Sequence, residues 1–554
     1  MENRSLIAIL IAFLVIVLYQ TLFYKPPQKV TKPKEKEKVT KEVTPPHVVP
    51  QPKVAEAKKK ILPSKEEKEK FVVVETDKYK AKFTTKGARL KEFLLFDYKT
   101  RIEENKIVKK IKSIFGIKPK KKEPIDFVNI VEKNISGLPL ATSLNGNNII
   151  LPEDLNYNVD KETITIRKGE QRKSITFSWE NDAIKIIKRF SFIPGNYVVN
   201  MDLVIENKED QPFKGTTSLS WYGITKKKKR YYSFWGPKLM INKRVVKIQG
   251  KDLKKVNEKK FSGKLSWVGH EMDYFVALVL PKKKIGSLVE IKNLHDIGEN
   301  EKSIKTAIYN NISIPANSQI KNEYKLFLGP KMLSLIESLG KDAKKSIDFG
   351  WFSIIAVPLL KLLVFFNKYT HNYGLAIILL TILVKIIFTP LSQKSYKSMR
   401  EMQKLQPEMT MLREKYKNDK ARLNKEIMDL YKRRKVNPAG GCLPMILQIP
   451  VFFALYRALL GSVELRHAPF FLWINDLSAK DPLFITPIIM GLTMVIQQKM
   501  TPSAGDPRQA KMMLFMPIIF TFLFLNFPSG LVLYWLVNNL LSIGEQYLIK
   551  KRAT

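Results

Sequence analysis

The sequence predicts an α-helical membrane protein that carries a large soluble β-sandwich domain between its first and second membrane spans. Long apolar stretches lie near the two ends of the 554-residue chain. Short β-branched segments bounded by Gly, Asn, Asp or Pro fill most of residues 71–330, which is typical of two packed sheets. Basic residues are concentrated on one side of the predicted spans, as expected for the cytoplasmic side of a membrane.

The first 24 residues are predicted to form a membrane anchor. Residues 5–24 are long enough to cross a bilayer and contain no charged residue. A cleaved signal peptide is the alternative, but no small-x-small cleavage motif follows the apolar stretch. Residues 25–70 are rich in Lys, Glu and Pro and contain no Phe, Tyr or Trp. We therefore expect them to be an extended linker that buries too little surface to fold.

Residues 71–345 are assigned to the β domain, which turns helical at its end. The chain has a single cysteine, Cys442, so this domain has no internal disulfide. The five histidines are scattered without the spacing of a zinc site. The net charge of +44 would suit a nucleic-acid partner, but the lysine tracts at 118–122 and 226–230 lie outside the predicted cytoplasmic part. No specific nucleic-acid binding is expected.

Residues 369–549 are predicted to form a membrane core of five spanning helices, followed by a short basic tail, residues 550–554. The five apolar stretches are 372–391, 442–460, 482–498, 512–527 and 530–549. Residues 346–368 are assigned to an amphipathic helix at the outer interface, since Pro358, Lys361 and several aromatic residues suit the membrane surface.

The number of spans decides which side each loop faces. With the anchor and five core spans, both chain ends and the loop 392–436 lie on the same side. This loop contains 14 Lys and Arg residues, whereas the opposite loop, residues 461–481, contains only Arg466 and Lys480. The positive-inside rule therefore places loop 392–436 and both chain ends in the cytoplasm, and the β domain outside.

Loop 392–436 is predicted to be a helical hairpin. Its apolar residues recur at helical spacing in two arms, separated by Asn418 and Asp419. Three methionines of the first arm, Met399, Met402 and Met409, have two interpretations. They form the seam between the arms, or they offer a soft, adaptable surface to apolar segments of other proteins.

Lys385 lies in the middle of the first core span. A lysine at this depth costs several kcal/mol if it faces lipid, so it must face water or a partner. Thr381 lies one turn earlier on the same face. The polar groups most able to converge with Lys385 come from two other spans: Gln448, Tyr534 and Asn538. The alternative is a structural lysine that bonds backbone carbonyls or snorkels to the inner surface.

The sequence contains no recognisable catalytic constellation. Nucleotide-binding loops, dinucleotide-binding glycines, nucleophile elbows and HExxH helices do not occur in it. The pair His270-Glu271 lacks the second histidine of a metalloprotease helix. We therefore expect no enzyme activity and no cofactor or metal.

Several stretches resemble the YidC family of bacterial membrane protein insertases. The longest are NPAGGCLPMILQIPVFFALY at 437–456, VELRHAPFFLWINDLSAKDP at 463–482 and FPSGLVLYW at 527–535. Shorter matches are GPK at 329–331 and DFGW at 348–351. The resemblance covers nearly the whole chain. It implies a periplasmic supersandwich domain and a five-helix insertase core with a hydrophilic groove, in the inner membrane of a bacterium with two membranes.

The resemblance also implies a function and partners. A YidC-like protein is a membrane protein insertase and chaperone that aids insertion, folding and assembly, alone or with the Sec translocon. The implied partners are nascent membrane proteins, the Sec translocon and membrane lipids, with the ribosome as a further candidate. The tail after Ile549 is short, so the ribosome-binding extension of some relatives is not apparent. Trp535 joins the candidate groove residues by this resemblance.

The chain departs from the family pattern at two positions. The family usually has Arg where this sequence has Lys385, and Trp where it has Tyr373. Lysine keeps the charge but loses the planar fork that grips a carboxylate. The resemblance therefore implies a positive groove without a geometric grip.

Two other functions are compatible with parts of the sequence. A secondary transporter of small solutes would also place ionisable residues at mid-membrane, but such transporters are often built from internal repeats, and the five spans show none. A periplasmic chaperone that is merely anchored by its spans would not need the polar residues within them. The sequence favours the insertase.

Overall fold

The computed structural model describes residues 60–61, 68–116, 124–133, 135–147, 149–226, 234–253, 256–283, 286–298, 301–437, 443–501 and 515–551. The predicted anchor, most of the linker and Cys442 lie outside the described residues.

The β domain contains twenty strands in the part of the chain that the structure describes. They are β1 (Lys60–Ile61), β2 (Phe71–Glu75), β3 (Tyr79–Thr84), β4 (Arg89–Lys99), β5 (Phe127–Asn129), β6 (Ala141–Gly146), β7 (Ile149–Leu151), β8 (Asn158–Val159), β9 (Thr163–Thr165), β10 (Lys173–Glu180), β11 (Ile184–Phe192), β12 (Val198–Asn207), β13 (Phe213–Lys226), β14 (Gly236–Ile241), β15 (Arg244–Lys247), β16 (Glu258–Glu271), β17 (Phe275–Pro281), β18 (Gly286–Gly298), β19 (Glu301–Ile314) and β20 (Ser318–Pro330).

The strands form two sheets. The larger has fifteen strands in the order β1-β7-β6-β13-β19-β18-β16-β17-β20-β12-β11-β10-β8, with β14 paired to β16 and β15 to β14. The smaller has the order β5-β4-β3-β2-β9. Strand β16 joins two parts of the large sheet, because its first half pairs with β18 and its last residues pair with β17.

Aromatic side chains join the two sheets. Phe83 of β3 lies 4.8 Å from Phe190 of β11 and 6.1 Å from Phe177 of β10, measured between ring centroids, and all three are buried. Strand β11 alternates buried and more exposed residues, as the period-two pattern of its sequence requires. The predicted sandwich of two packed sheets is confirmed.

The described helices begin with one in the β domain, α1 (Lys106–Ile114), and two that close it, α2 (Leu333–Glu337) and α3 (Lys341–Lys344). The rest belong to the membrane part. They are α4 (Ser353–Thr370), α5 (Tyr373–Lys404), α6 (Gln406–Lys415), α7 (Lys420–Arg433), α8 (Leu443–Gly461), α9 (Ile485–Met500), α10 (Met516–Phe524) and α11 (Ser529–Lys551). Residues 350–370 and 373–404 form helices that are long and apolar enough to cross a membrane.

The membrane part differs from the sequence prediction in three places. Helix α5 continues past Pro390 to Lys404, so the first arm of the hairpin extends the first core span and does not follow a loop at 392. The helix expected at 346–368 begins only at Ser353, after a short 3-10 turn. The stretch 512–527 contains the nine-residue helix α10 in its described part.

Helix α4 packs along α5 and α8. Its buried residues lie at helical spacing on one side: Ala356, Leu359, Leu360 and Leu363. His371 takes a left-handed conformation, with φ of 52°, that ends α4. Asn372 then caps α5 by accepting hydrogen bonds from the backbone N–H groups of Gly374 and Leu375. The chain thereby reverses between the two helices within two residues.

A buried charge cluster ties the β domain to the segment that leads into the helices. Glu271 lies 3.0 Å from the ammonium groups of both Lys238 and Lys331, and Lys238 also donates to the carbonyl of Ser346. Burial alone would raise the pKa of Glu271, but the two lysines outweigh it and lower the pKa to about 2. Glu271 therefore stays ionised at neutral pH.

The aromatic contact between the sheets can be tested by truncation. Phe83→Ala should cost about 3–5 kcal/mol, because it removes a fully buried ring and leaves a cavity. The denaturant midpoint of the β domain in the full-length protein, followed by protease resistance, measures the loss. Phe127→Ala is the matched control and should cost much less, since that ring is already partly exposed. Equal losses would mean that Phe83 does not hold the sheets together.

Candidate functional site

Helix α11 carries a row of polar side chains through an otherwise apolar bundle. They recur at one-turn spacing along its second half: Asn538, Asn539, Ser542, Glu545 and Gln546. Asn539 donates to the hydroxyl of Thr493 in α9 over 3.3 Å. Gln546 donates to the hydroxyl of Tyr396 in α5 over 2.8 Å. The row therefore joins α11 to its neighbours by side-chain hydrogen bonds.

Lys385 of α5 reaches this row. Its ammonium group donates to the Ser542 hydroxyl over 2.8 Å and lies 2.8 Å from a carboxylate oxygen of Glu545. The side chains of Lys385 and Glu545 are only 14% and 10% exposed. Breaking such a pair by removing one partner is costly, because it leaves a charge without compensation. Lys385 therefore bonds side chains of another helix, unlike the structural lysine of the alternative interpretation, which bonds backbone carbonyls.

Two of the other predicted residues, Gln448 and Asn538, contact each other one helical turn before Ser542. Gln448 of α8 donates its amide to the side-chain oxygen of Asn538 over 3.2 Å. Ser542, which contacts Lys385, in turn donates to the backbone carbonyl of Asn538 over 2.8 Å. Tyr534 is buried beside Gln448. The predicted polar residues of α8 and α11 thus lie close to Lys385, with Ser542 as the connecting residue.

The last two predicted residues are placed differently. Thr381 is buried and donates its hydroxyl to the carbonyl of Ile377 in its own helix over 2.6 Å. Trp535 lies in an aromatic cluster, 4.9 Å from Phe452 and 5.3 Å from Phe524 between ring centroids. Both residues shape the wall of the bundle and the contacts described for them do not reach the ammonium group.

The sequence analysis missed Ser542 and Glu545, the two residues that Lys385 contacts. They lie four and seven residues after Asn538, so the one-turn spacing that nominated Tyr534 and Asn538 continues to them. Extending that face by two turns would have found both. Glu545 is also the one acidic residue in the sequence of α11.

A basic cavity lies next to the polar row, where α5, α9 and the end of α11 meet. Its volume is about 670 Å³, and Tyr396 and Gln546 contribute to its wall. Its other polar lining is mostly cationic: Arg400, Lys499, Lys550 and Lys551. No carboxylate occurs among its described lining residues. Such a surface attracts anionic groups toward the end of the row that holds Lys385.

Comparisons with known proteins identify the family. A family model described as "YidC periplasmic domain" matches residues 118–362, and one described as "60Kd inner membrane protein" matches residues 365–554. A relative from Syntrophus aciditrophicus, named "Membrane protein insertase YidC", is 43% identical over the full length of both chains. The chain belongs to the YidC family.

A second relative and a solved structure are also similar to this chain over nearly its whole length. A YidC insertase from Geotalea daltonii is 39% identical and covers 100% of this chain and 99% of its own. A solved structure described as "Active YidC insertase crystal structure with the first transmembrane domain resolved" is 20% identical and covers 99% of each chain, with a TM-score of 0.35.

In this YidC-family chain the hairpin buries two of its three nominated methionines. Met402 and Met409 are buried, and the Tyr431 hydroxyl of α7 lies 3.4 Å from the sulfur of Met409. Met399 is half-buried. Met411 and Met428, which the sequence analysis did not single out, are 61% and 49% exposed. Met402 and Met409 are therefore packing residues, whereas Met411 and Met428 remain exposed at the surface.

This division of the methionines can be tested. Met409→Ser should loosen the hairpin by about 2 kcal/mol or more, because it empties a buried site between α6 and α7. Limited proteolysis at the turn between Tyr416 and Asp419 measures the opening. Met411→Ser is the matched control and should leave the cleavage rate unchanged. Faster cleavage in both variants, or in neither, would contradict the assignment.

Proposed function

We propose that this inner-membrane protein is a membrane protein insertase that uses the Lys385–Glu545 pair as an exchangeable charge site for the polar tails of nascent membrane proteins. The observation that carries the proposal is the pair itself, held between α5 and α11 beside the basic cavity. The names of the relatives support insertion as the function. They give no support to the secondary-transporter alternative.

The energetic task is to move charged tails through lipid. A charged residue at the centre of a helix costs about 2.5–3.5 kcal/mol on insertion scales, so a tail with two or three charges faces about 5–10 kcal/mol. A polar row that reaches partway across the bilayer shortens the apolar part of the path. The chain has no nucleotide-binding motif. The free energy for insertion must therefore come from binding of the client, the protein being inserted, and from the transfer of its apolar helix into lipid.

Glu545 gives Lys385 a partner while the groove is empty. An acidic group of the client entering through the basic cavity would take the place of the Glu545 carboxylate beside Lys385. The exchange keeps the ammonium group paired throughout, and the displaced Glu545 carboxylate turns toward the cationic side chains of the adjacent basic cavity, so that neither charge is left buried without compensation. Lysine suits this role because its ammonium group has rotatable donors and does not need the fixed geometry of a guanidinium.

We extend the proposal to topology and partners. The β domain lies in the periplasm, both chain ends lie in the cytoplasm, and α4 lies at the outer interface. The hairpin of α6 and α7 captures apolar client segments through Met411 and Met428. The Sec translocon, membrane lipids and the ribosome are the further partners, with the ribosome expected to meet the basic cytoplasmic surface.

Charge exchange at Lys385 predicts which clients each variant handles. Lys385→Ala strands Glu545 and should lower insertion of acidic-tailed clients about tenfold more than of neutral-tailed ones, since 1.4 kcal/mol, the order of one charge-assisted hydrogen bond, is a factor of ten. Lys385→Arg should retain activity. Insertion of one client bearing neutral, acidic or basic tails, at equal insertase abundance, measures the effect.

The partner residue supplies the control. Glu545→Gln should keep or raise insertion of acidic-tailed clients and lower that of basic-tailed ones, because Lys385 loses its internal counter-ion. The double variant Lys385→Ala with Glu545→Gln should insert neutral tails but show no preference by charge. If Lys385→Ala acts equally on neutral and acidic tails, the charge is not part of the mechanism.

The topology can be tested by labelling single cysteines in a variant that lacks Cys442. Cysteines at Ser64 and Phe471 should react with a membrane-impermeant reagent from the periplasmic side, and one at Asn418 only from the cytoplasmic side. Phe471 is a suitable position because its side chain is 53% exposed. Labelling of Asn418 from outside would overturn the assignment of sides.

A further inference from the structure

Helix α1 is an amphipathic helix inserted between β4 and β5. At 100° per residue, its apolar residues fall within one arc of the helix: Ile107, Val108, Ile111, Ile114 and the capping Phe115. The opposite side is occupied mainly by lysines: Lys106, Lys109, Lys110 and Lys112. A basic polar face against an apolar face is the pattern of helices that lie in a membrane surface.

The β domain buries only part of the apolar face of α1. Val108 is buried and attaches the helix to its surroundings. Ile107, Ile114 and Phe115 are 42%, 72% and 75% exposed. Large apolar side chains exposed together mark a surface that binds another apolar phase or partner.

The start of α1 is bonded to the loop at the outer end of the helix bundle. Asn105 caps α1 by accepting from the backbone N–H of Ile107, and its amide donates to the carbonyl of Leu472 over 2.6 Å and to the Asn475 side chain over 3.0 Å. Arg466 of the same loop donates to the carbonyls of Lys99 and Thr100, which precede α1. The segment 99–105, which leads into α1, is thus bonded to this loop at both of its ends.

That loop marks the level at which the chain enters the membrane. The Phe470 carbonyl accepts a hydrogen bond from Asn372, the residue that caps the spanning helix α5. Phe471 and Leu472 are exposed at the same place. Helix α1 therefore begins beside the outer boundary of the spanning helices, with its apolar face uncovered.

We propose that α1 lies in the outer surface of the inner membrane, with Ile107, Ile114 and Phe115 among the acyl chains and its lysines on anionic phospholipid headgroups. Charge selects this occupant. Lys112 is paired with Glu104 over 2.5 Å, whereas Lys106, Lys109 and Lys110 are exposed on the polar face. A helix with this charge pattern binds an anionic lipid surface by combining apolar burial with electrostatic attraction.

This contact gives the β domain a second support on the membrane. The first is the chain connection through α2 and α3, which the ion pairs of the Lys238–Glu271–Lys331 cluster reinforce. With α1 seated in the lipid surface, the domain is held at two points and its tilt over the bundle is fixed. The contact is independent of the Lys385 site and can be tested without any client.

The test uses the full-length protein, without Cys442, as single copies in nanodiscs. An environment-sensitive fluorophore is attached to a cysteine at Ile114 or, as the matched control on the polar face, at the neighbouring exposed Ser113. Spin-labelled lipids should quench the fluorophore at Ile114 about threefold more than at Ser113, since only the apolar face enters the lipid. Aqueous iodide should show the reverse preference.

Varying the charge of the lipid headgroups tests whether α1 contacts an anionic lipid surface or something else. Quenching at Ile114 should be strong with phosphatidylglycerol and weak with phosphatidylcholine alone, and Lys106→Gln with Lys109→Gln and Lys110→Gln should remove this difference. Neutralising three other exposed lysines of the β domain, Lys161, Lys168 and Lys214, is the control and should not. Equal lipid quenching at both positions, or quenching at Ile114 that does not depend on phosphatidylglycerol, would overturn the proposal and favour a protein partner or solvent.

Discussion

The ion pair between Lys385 and Glu545 is the interaction on which the arrangement of the membrane helices depends. An ammonium group in an apolar helix cannot be left facing lipid, so α5 must turn it toward a polar partner. That partner lies on α11, and the same face of α11 holds Asn539 against α9 and Asn538 against α8. One buried charge therefore fixes the rotation of α5 and α11, and the polar row extends that constraint to the neighbouring helices.

Under the proposed function, the same pair lets a stable bundle offer a binding site. A groove lined by unpaired charges would be costly when empty, whereas a groove whose charges pair internally can be folded and still exchange partners. The basic cavity beside it adds long-range attraction for anionic groups without burying any further charge in the bundle. The side chains that stabilise the empty bundle are then the same ones that bind a client during insertion.

The β domain stands on this bundle through contacts of a different kind. Its two sheets are joined by buried aromatic rings, and its lower edge is tied to the helices by a paired cluster that includes Glu271. The bonds from Arg466 and Asn105 join the outer loop to the segment around α1. The domain is thus positioned by polar contacts at its base and by lipid at α1, and its core remains independent of the membrane.

The sequence predicted the sandwich and the apolar helix that contains Lys385, because alternation and apolar length are local properties. It did not predict Glu545 as the partner, since that depends on the relative height and rotation of α5 and α11, which periodicity within one helix does not give. The spacing of Met399, Met402 and Met409 put them on one apolar stripe, but it could not show that Met402 and Met409 are buried, because the packing of the helices decides which methionines stay exposed. Helix α1 was not predicted because it is only nine residues long and interrupts a long series of strands.

The most direct test of the central claim is whether water reaches the polar row in the bilayer. A single cysteine at Asn538, on the row, is compared with one at Leu540, which is half-exposed on another face of the same helix. In a variant without Cys442, a charged, membrane-impermeant thiol reagent applied from the cytoplasmic side should label Asn538 and leave the more exposed Leu540 unlabelled. Labelling of Leu540 alone, or of neither residue, would contradict a hydrated groove around Lys385 and Glu545.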